Sequence, residues 1–227
     1  MQEHAATSSA RSRRATEPFQ FVAASYLIRI GRQRATNLGE LARHLRTCPD
    51  ASIFYHTFQS LESHHYTTFS SDFAQWVMAA CNEPALAERM AALDLREFVS
   101  IADLRRSLVQ AVEDHLRSFP PAADRPAFEP FHFCEAVEVV FPVELRAFTL
   151  AELASGIRRL SLHTLHYHLI NSRLRLQLKT NDFSFWVEHS LGLPELAERI
   201  NRVDFYTNTL EGVREEVVRL LESWDSP

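Results

Sequence analysis

The segments PFQF at residues 18–21 and PFHF at residues 130–133 are near copies of one another, 112 positions apart. Further matches follow in the same order, first at that offset and then at an offset of 110. They are Tyr55-His56 with Tyr167-His168, Asp72-Phe73 with Asp182-Phe183, and Leu86-Ala87-Glu88-Arg89 with Leu196-Ala197-Glu198-Arg199. A collinear series of this length indicates an internal duplication.

The duplication predicts the domain organisation. Its period is well above the roughly 20–50 residues of solenoid repeats, so we expect two domains. We predict a flexible basic arm at 1–16, a first helical repeat at 17–117, a proline-rich linker at 118–129 and a second helical repeat at 130–224. The arm lacks Leu, Ile, Val and Phe, and such a composition cannot offset the entropy of ordering the chain.

Local patterns predict that each copy is mostly helical. Alternating aromatic residues open each copy, as at Phe19 and Phe21, which favours one short β-strand there. Helix N-caps are expected at Thr36-Asn37, Asp72, Thr149 and Asp182. The predicted fold class is therefore mostly α, with two tandem homologous helical repeats packed with pseudo-two-fold symmetry and at most one short strand at the start of each.

The second copy also carries a family resemblance. It contains Tyr167-His168, the block Asn181-Asp182-Phe183-Ser184-Phe185-Trp186 and the helix Leu196-Ala197-Glu198-Arg199-Ile200. In this order they resemble a bacterial and archaeal family of unknown function, in which a Y-H pair, an N-D-F-x-x-W block and an L-A-x-x-I helix recur in tandem. The first copy departs from that pattern by having Ser71 at the Asn position. The resemblance covers residues 17–222 and implies a duplicated fold, but it implies no activity, substrate or cofactor.

Composition and charge exclude several classes of protein. The chain has five glycines, none of them spaced as G-x-G-x-x-G, so a glycine-rich phosphate loop is absent. No apolar run approaches the roughly 18–20 residues that span a bilayer, so we expect no membrane association. The net charge of −5 gives no general attraction to nucleic acid. Three cysteines without a C-x-x-C pair favour a reduced, cytoplasmic protein.

Candidate ligand-binding residues surround the duplicated Tyr–His pairs. They are Tyr55, His56, His65, Tyr167, His168, Arg173 and Arg175. A histidine titrates near neutral pH and can therefore act as an acid, a base or a ligand-binding group, and an arginine binds anions. A buried histidine that is hydrogen-bonded to the backbone or to the other copy explains the same pattern structurally, and we favour this interpretation.

The remaining histidines form no recognisable metal motif. His163 and His166 are three residues apart and can share a helix face. However, no H-E-x-x-H occurs and no carboxylate stands at ligand spacing. We therefore predict no metal, no other cofactor and no residue with an assigned catalytic role.

Two functions remain open. The first is a non-catalytic interaction module that recognises a protein partner, a second copy of itself or a small regulatory ligand. The second is an enzyme that acts on an anionic small molecule through His56 or His168 with nearby arginines. Convergence of these groups on a closed pocket would favour the enzyme, and packing of the same groups in a core would favour the module. A helix-turn-helix that binds DNA is a weaker third hypothesis, because the chain has no basic recognition helix.

Overall fold

The computed structural model describes residues 13–59, 69, 71–176, 178–205 and 208–224. Two strands, β1 (Phe19–Ala35) and β2 (Phe131–Ala147), pair in a two-stranded antiparallel sheet within this part of the chain. Cross-strand side-chain contacts follow the antiparallel direction. Gln20 Nε2 donates to the carbonyl of Val143 at 2.6 Å, and Arg29 pairs with Glu135 at 2.5 Å.

The predicted fold class, mostly α with two tandem helical repeats, is wrong. Each strand has 17 residues, and the described chain is 56% helix and 17% strand, a mixed α/β composition. The strands were underestimated because only their ends alternate between buried and exposed residues. In the middle of β1, residues 27–30 are all exposed, so the period of two that marks a half-buried strand is absent there.

Eleven helices accompany the sheet in the described residues. They are α1 (Leu38–Thr47), α2 (Asp50–Phe54), α3 (Asp72–Ala79), α4 (Pro84–Ala91), α5 (Ile101–Ser118), α6 (Leu150–Arg159), α7 (Leu162–His166), α8 (Ser172–Arg175), α9 (Asp182–Leu191), α10 (Pro194–Asn201) and α11 (Leu210–Ser223). A π-helical turn follows α2 at Tyr55–Gln59, and another follows α7 at Tyr167–Asn171. The predicted N-caps Asn37 and Thr149 are confirmed, because each side chain accepts the N–H three residues ahead.

Contacts divide the chain into two compact units. Unit 1 contains the residues up to Ser25, Val139–Arg173 and those from Thr180 onward, and unit 2 contains Tyr26–Glu138 and Leu174–Lys179. Each strand therefore gives its first part to one unit and its second part to the other. The predicted segments 17–117 and 130–224 divide the chain differently, because they follow sequence similarity and not contacts. They stay a prediction about the duplication.

The proline-rich segment between α5 and β2 is packed within unit 2. Pro120–Ala122 form a single 3₁₀ turn, which proline tolerates because the first turn of a helix needs no N–H from it. The Gly39 N–H donates to the carbonyl of Ala123 at 2.9 Å, and the Ala127 N–H donates to the carbonyl of Thr36 at 2.8 Å. The segment predicted as a linker is thus hydrogen-bonded to the start of α1 and the end of β1.

Part of the predicted flexible arm is also packed. Residues 1–12 lie outside the described residues, but Ala15 is buried and its N–H donates to the carbonyl of Phe148 at 2.8 Å. Arg13 donates to the carbonyls of Leu191 and Gly192, both at 3.2 Å, at the C-terminal end of α9. A guanidinium suits this position because the carbonyl end of a helix carries partial negative charge.

A chain that begins at Glu17 is therefore expected to be less stable than one that begins at Arg13. Loss of the Ala15 and Arg13 hydrogen bonds should lower the free energy of unfolding by about 1–2 kcal/mol, or roughly 2–8 °C in the melting midpoint. Thermal melts of the two truncated proteins measure the difference. Equal midpoints would show that residues 13–16 add nothing to stability.

Candidate functional site

His56 lies in the π-helical turn after α2, in unit 2, and is 4% exposed. Its Nδ1 lies 2.8 Å from Oδ2 of Asp72, the first residue of α3. Its Nε2 accepts the backbone N–H of Cys134 in β2, also at 2.8 Å. Since a ring nitrogen that accepts an N–H carries no proton, the imidazole is neutral and donates its Nδ1–H to the carboxylate.

His168 has the same arrangement in unit 1. It lies in the π-helical turn after α7 and is 2% exposed. Its Nδ1 lies 2.9 Å from Oδ2 of Asp182 at the start of α9, and its Nε2 faces the backbone N–H of Val22 in β1 at 3.4 Å. Each histidine therefore joins a helix N-terminus to the outer edge of a strand.

Aromatic side chains enclose each histidine. The ring of His56 lies 4.6 Å from Phe131 and 5.3 Å from Phe73, measured between centroids. The ring of His168 lies 5.2 Å from Phe19 and 5.4 Å from Phe183. All four phenylalanines are buried, so a His–Asp hydrogen bond in either unit is sheltered from water and strengthened.

Two buried tryptophans fix the residues just ahead of the strands. Trp76 donates its Nε1–H to the carbonyl of Glu129 at 2.8 Å, and Trp186 donates to the carbonyl of Glu17 at 2.9 Å. The predicted packing of both tryptophans in the core is confirmed. Each indole also satisfies its polar N–H while its ring fills the core, as a buried tryptophan requires.

The prediction that Asp72 and Asp182 are N-caps is wrong by one residue. The caps are Ser71 and Asn181, whose side chains accept the N–H three residues ahead. The aspartates occupy the first position of each helix, where the positive end of the helix dipole favours a carboxylate. Because the neighbouring residue provides the cap, each carboxylate is available to the histidine.

Sequence reasoning missed this pairing of histidine with aspartate. The signal was present, since His56 and Asp72 recur as His168 and Asp182 in the second copy. An N-cap role was a sufficient explanation for both aspartates, so no histidine partner was sought for them. The second partner of each histidine, the backbone N–H of Cys134 or Val22, could not be predicted from the sequence, because every residue except proline carries such a group.

The arrangement positions a strand and leaves no free ring nitrogen. A general base must reach a substrate proton through an unoccupied nitrogen, as in hydrolases that hold a histidine with a carboxylate. Here both nitrogens of His56 are within 2.8 Å of groups of the protein itself. The geometry agrees with the structural interpretation of both histidines, which are buried and bonded to the backbone.

The tyrosines pack against their own histidines. Tyr55 lies edge-on to His56 at 4.9 Å, and Tyr167 lies edge-on to His168 at 5.2 Å. Burial, with smaller contributions from Cys134 and Asp72, raises the pKa of Tyr55 to about 12. The Tyr55 hydroxyl therefore stays protonated at neutral pH and cannot act as a base there.

The basic candidates do not join this cluster. The buried guanidinium of Arg173 donates through Nε to the carbonyl of Leu169 at 3.2 Å and lies over the ring of Phe205 at 4.5 Å. It is engaged with the protein and is not presented to an anion. Arg175 ends α8, but its side chain, like the whole of His65, lies outside the described residues.

A cleft of about 530 Å³ in unit 1 includes none of the candidate residues. Its walls come from the start of β1, the end of β2, the end of α6 and the start of α7, and include Val22, Glu144, Arg159, Ser161 and Thr164. Within the described residues, no group of three or more His, Cys, Asp or Glu side chains is placed to hold a metal ion. None of the described helices combines the length and apolar character needed to cross a bilayer.

Residues 16–222 match the model of a family of unknown function, DUF5752. The chain belongs to this family. The resemblance seen in the sequence is thus confirmed at the level of the family, whereas the tandem repeats stay a prediction. The solved structure of OrfY from Thermoproteus tenax is similar to the DUF5752 chain, with a TM-score of 0.81 and 32% identity. The match covers 94% of this chain and 98% of OrfY. Comparison with curated proteins gives no match.

Proposed function

We propose that the protein is a non-catalytic binding module that recognises a protein partner through the exposed middle of its strands. The observation that carries this proposal is in β1, where three aliphatic residues within a four-residue stretch face solvent in unit 2. Leu27 is 71% exposed, Ile28 52% and Ile30 67%. Ile28 and Ile30 lie on one face of the strand and Leu27 on the other. Single exposed aliphatic residues are common, but several within one turn-free stretch of strand are typical of an interaction site.

A second exposed apolar run supports the same proposal from unit 1. There, Val139, Val140 and Phe141 of β2 are each at least 40% exposed. Exposed aliphatic and aromatic residues on a paired strand promote association, because the hydrophobic effect favours their removal from water. We infer that these surfaces are kept for binding.

The alternative, an enzyme that acts on an anionic small molecule, has less support. It requires histidine and arginine groups that converge on a ligand. His56 and His168 instead use both ring nitrogens within the protein, and Arg173 donates to a backbone carbonyl. A small regulatory ligand that binds elsewhere, such as in the cleft beside β1, is compatible with the binding module.

Two finer statements belong to the same proposal. We infer that the family fold arose by internal duplication, because matching Tyr–His, Asp-Phe and Trp residues recur in order in the two halves of the sequence. We also infer that the protein works in the cytoplasm. Its three cysteines, Cys48, Cys81 and Cys134, are free thiols, as in proteins of reducing compartments.

The binding module predicts that a charge in the exposed run weakens binding without unfolding the protein. Leu27→Asp should raise the dissociation constant for a purified cellular partner by about tenfold or more, because it places a carboxylate in an apolar contact. The partner is obtained by cross-linking in cells that express the full chain, then purified and titrated by calorimetry. Phe128→Asp is the matched control, since Phe128 is 89% exposed outside the strands.

Equal weakening by both variants, or no effect of Leu27→Asp, would contradict binding through the strand. If a screen of anionic metabolites finds turnover that His168→Asn abolishes at unchanged melting temperature, the protein is an enzyme and the proposal is wrong.

A further inference from the structure

The outer edge of β1, the side that faces away from β2, is hydrogen-bonded in its first part and open in its second. In unit 1 the edge is closed, because the outward N–H of Val22 faces His168 and that of Ala24 faces Thr164 Oγ1 at 3.3 Å. N–H groups on alternate residues of an antiparallel strand point to the same side, so those of Ile28, Ile30 and Arg32 also point outward. Within the described part of the chain, these three N–H groups have no acceptor.

In unit 2, the pairing register of the two strands independently indicates that the N–H of Ile30 points away from β2. Arg29 pairs with Glu135, and the space beside the Gly31 Cα is closed by the Phe133 carbonyl, so Ile30 lies opposite Cys134. The N–H of Cys134 points outward to His56. Opposite residues of an antiparallel pair share their orientation, and the N–H of Ile30 is therefore directed away from β2.

The open edge of β1 has no proline, and its protection against edge-to-edge pairing is the charge of its arginines. The twelfth residue of β2 is Pro142, which has no N–H to offer, whereas the twelfth residue of β1 is Ile30. The two strands thus differ at the matching position, and only β1 keeps a donor there.

The positive charge of the open edge indicates the charge of the segment that would bind there. β1 contains Arg29, Arg32 and Arg34 and no acidic residue. Arg29 is paired with Glu135, whereas Arg32 and Arg34 are exposed and form no ion pair with any described residue. A second copy of β1 would add its own arginines to this edge, and the repulsion between like charges disfavours self-pairing.

The geometry points to β-augmentation: residues 26–34 of β1 bind an extended acidic segment of another protein, which adds a third strand to the sheet. Backbone hydrogen bonds to Ile28, Ile30 and Arg32 supply affinity. Apolar side chains of the partner cover Ile28 and Ile30, and its carboxylates pair with Arg32 and Arg34, since these four side chains lie on one face of the strand. This inference rests on the proposed binding function and names the partner's chemistry.

A model peptide tests the inference on the full chain. The probe is a ten-residue peptide with five glutamates and five valines in two blocks, so that one face of the extended peptide offers valines to Ile28 and Ile30 and glutamates to Arg32 and Arg34. Two control peptides have the same composition in strict alternation, or lysine in place of glutamate. We expect the acidic block peptide to bind at least about tenfold more tightly than either control, and to slow hydrogen exchange at the amides of Ile28, Ile30 and Arg32.

Ile30→Pro removes the outward N–H and imports the residue that β2 has at its own twelfth position. It should weaken peptide binding about tenfold, whereas Ile30→Thr, which keeps the N–H, should bind within about threefold of the parent. Arg32→Glu combined with Arg34→Glu should reverse the preference from the glutamate to the lysine peptide. This charge reversal keeps the inference testable if Ile30→Pro does not fold.

Binding of the alternating peptide as tight as that of the acidic block peptide, or unchanged binding by Ile30→Pro, overturns the inference. So does stronger binding to phosphatidylserine vesicles or to single-stranded DNA than to the acidic peptide. A dimer that Ile30→Pro dissociates assigns the edge to a second copy and likewise overturns it. If Leu27→Asp weakens the cellular partner while Ile30→Pro does not, the binding function stands and only the strand addition fails.

Discussion

Replacing His56 with alanine is expected to lower the free energy of unfolding by about 1–3 kcal/mol, and His168→Ala should have a similar effect. The substitution removes one hydrogen bond to the half-buried Asp72 carboxylate and one from the N–H of the half-buried Cys134. For a chain of this size the melting midpoint should fall by roughly 3–10 °C. Thermal and urea unfolding measure both quantities.

His132→Ala is the matched control, because His132 is exposed in the same strand and only two residues from Cys134. It should melt within about one degree of the parent, as is usual for surface substitutions. If His56→Ala and His168→Ala both melt like the control, the structural role is wrong, and the two histidines become the first place to look for a ligand.

Gly156→Ala should be destabilising even though alanine is the better helix former. A Cβ at Gly156 in α6 would lie 2.2 Å from Phe21 Cζ, and Phe21 is fully buried. Overpacking of this kind costs about 1–3 kcal/mol, which exceeds the roughly 1 kcal/mol gained in helix propensity. In α1 the seventh residue is His44, whose ring packs edge-on to Phe133 at 5.7 Å, whereas the seventh residue of α6 is this glycine.

Gly212→Ala provides the same change without the clash. Its Cβ would meet Thr209 Oγ1 at 3.4 Å, an ordinary contact, so we expect stabilisation of about 0.4–1 kcal/mol. Phe21→Leu in the Gly156→Ala background should recover part of the loss, and a double-mutant cycle by urea unfolding measures that coupling. A Gly156→Ala protein that is as stable as the Gly212→Ala protein would show that Phe21 moves aside at no cost.

The sequence predicted the helices well because their start signals are local. Ser100 and Thr209 cap α5 and α11, and Pro84 and Pro194 begin α4 and α10. These signals depend only on residues within one helical turn, so they do not depend on the tertiary contacts of the chain. The family was likewise recognisable from short motifs.

The long strands and the site geometry were not predictable in the same way. Strand length depends on pairing between residues more than 100 positions apart, such as Arg29 with Glu135, and a single sequence does not display that pairing. The His–Asp pairs depend on how the π-helical turns aim the rings of His56 and His168. Such turns have no reliable sequence signal, whereas the recurrence of both partners in the two copies was visible and could have been used.

The sharing of each strand between the two units has a consequence for synthesis on the ribosome. Unit 2 draws most of its residues from Tyr26–Glu138, so it is nearly complete once the first part of β2 has emerged. Phe19 and Phe21 emerge first but pack against His168 and Phe183, which are translated much later. At roughly 5–20 residues per second, the two aromatic rings wait on the order of 10 s for their core. During that interval the beginning of β1 is an unburied aromatic segment of the nascent chain, and chaperone binding or premature aggregation would begin there.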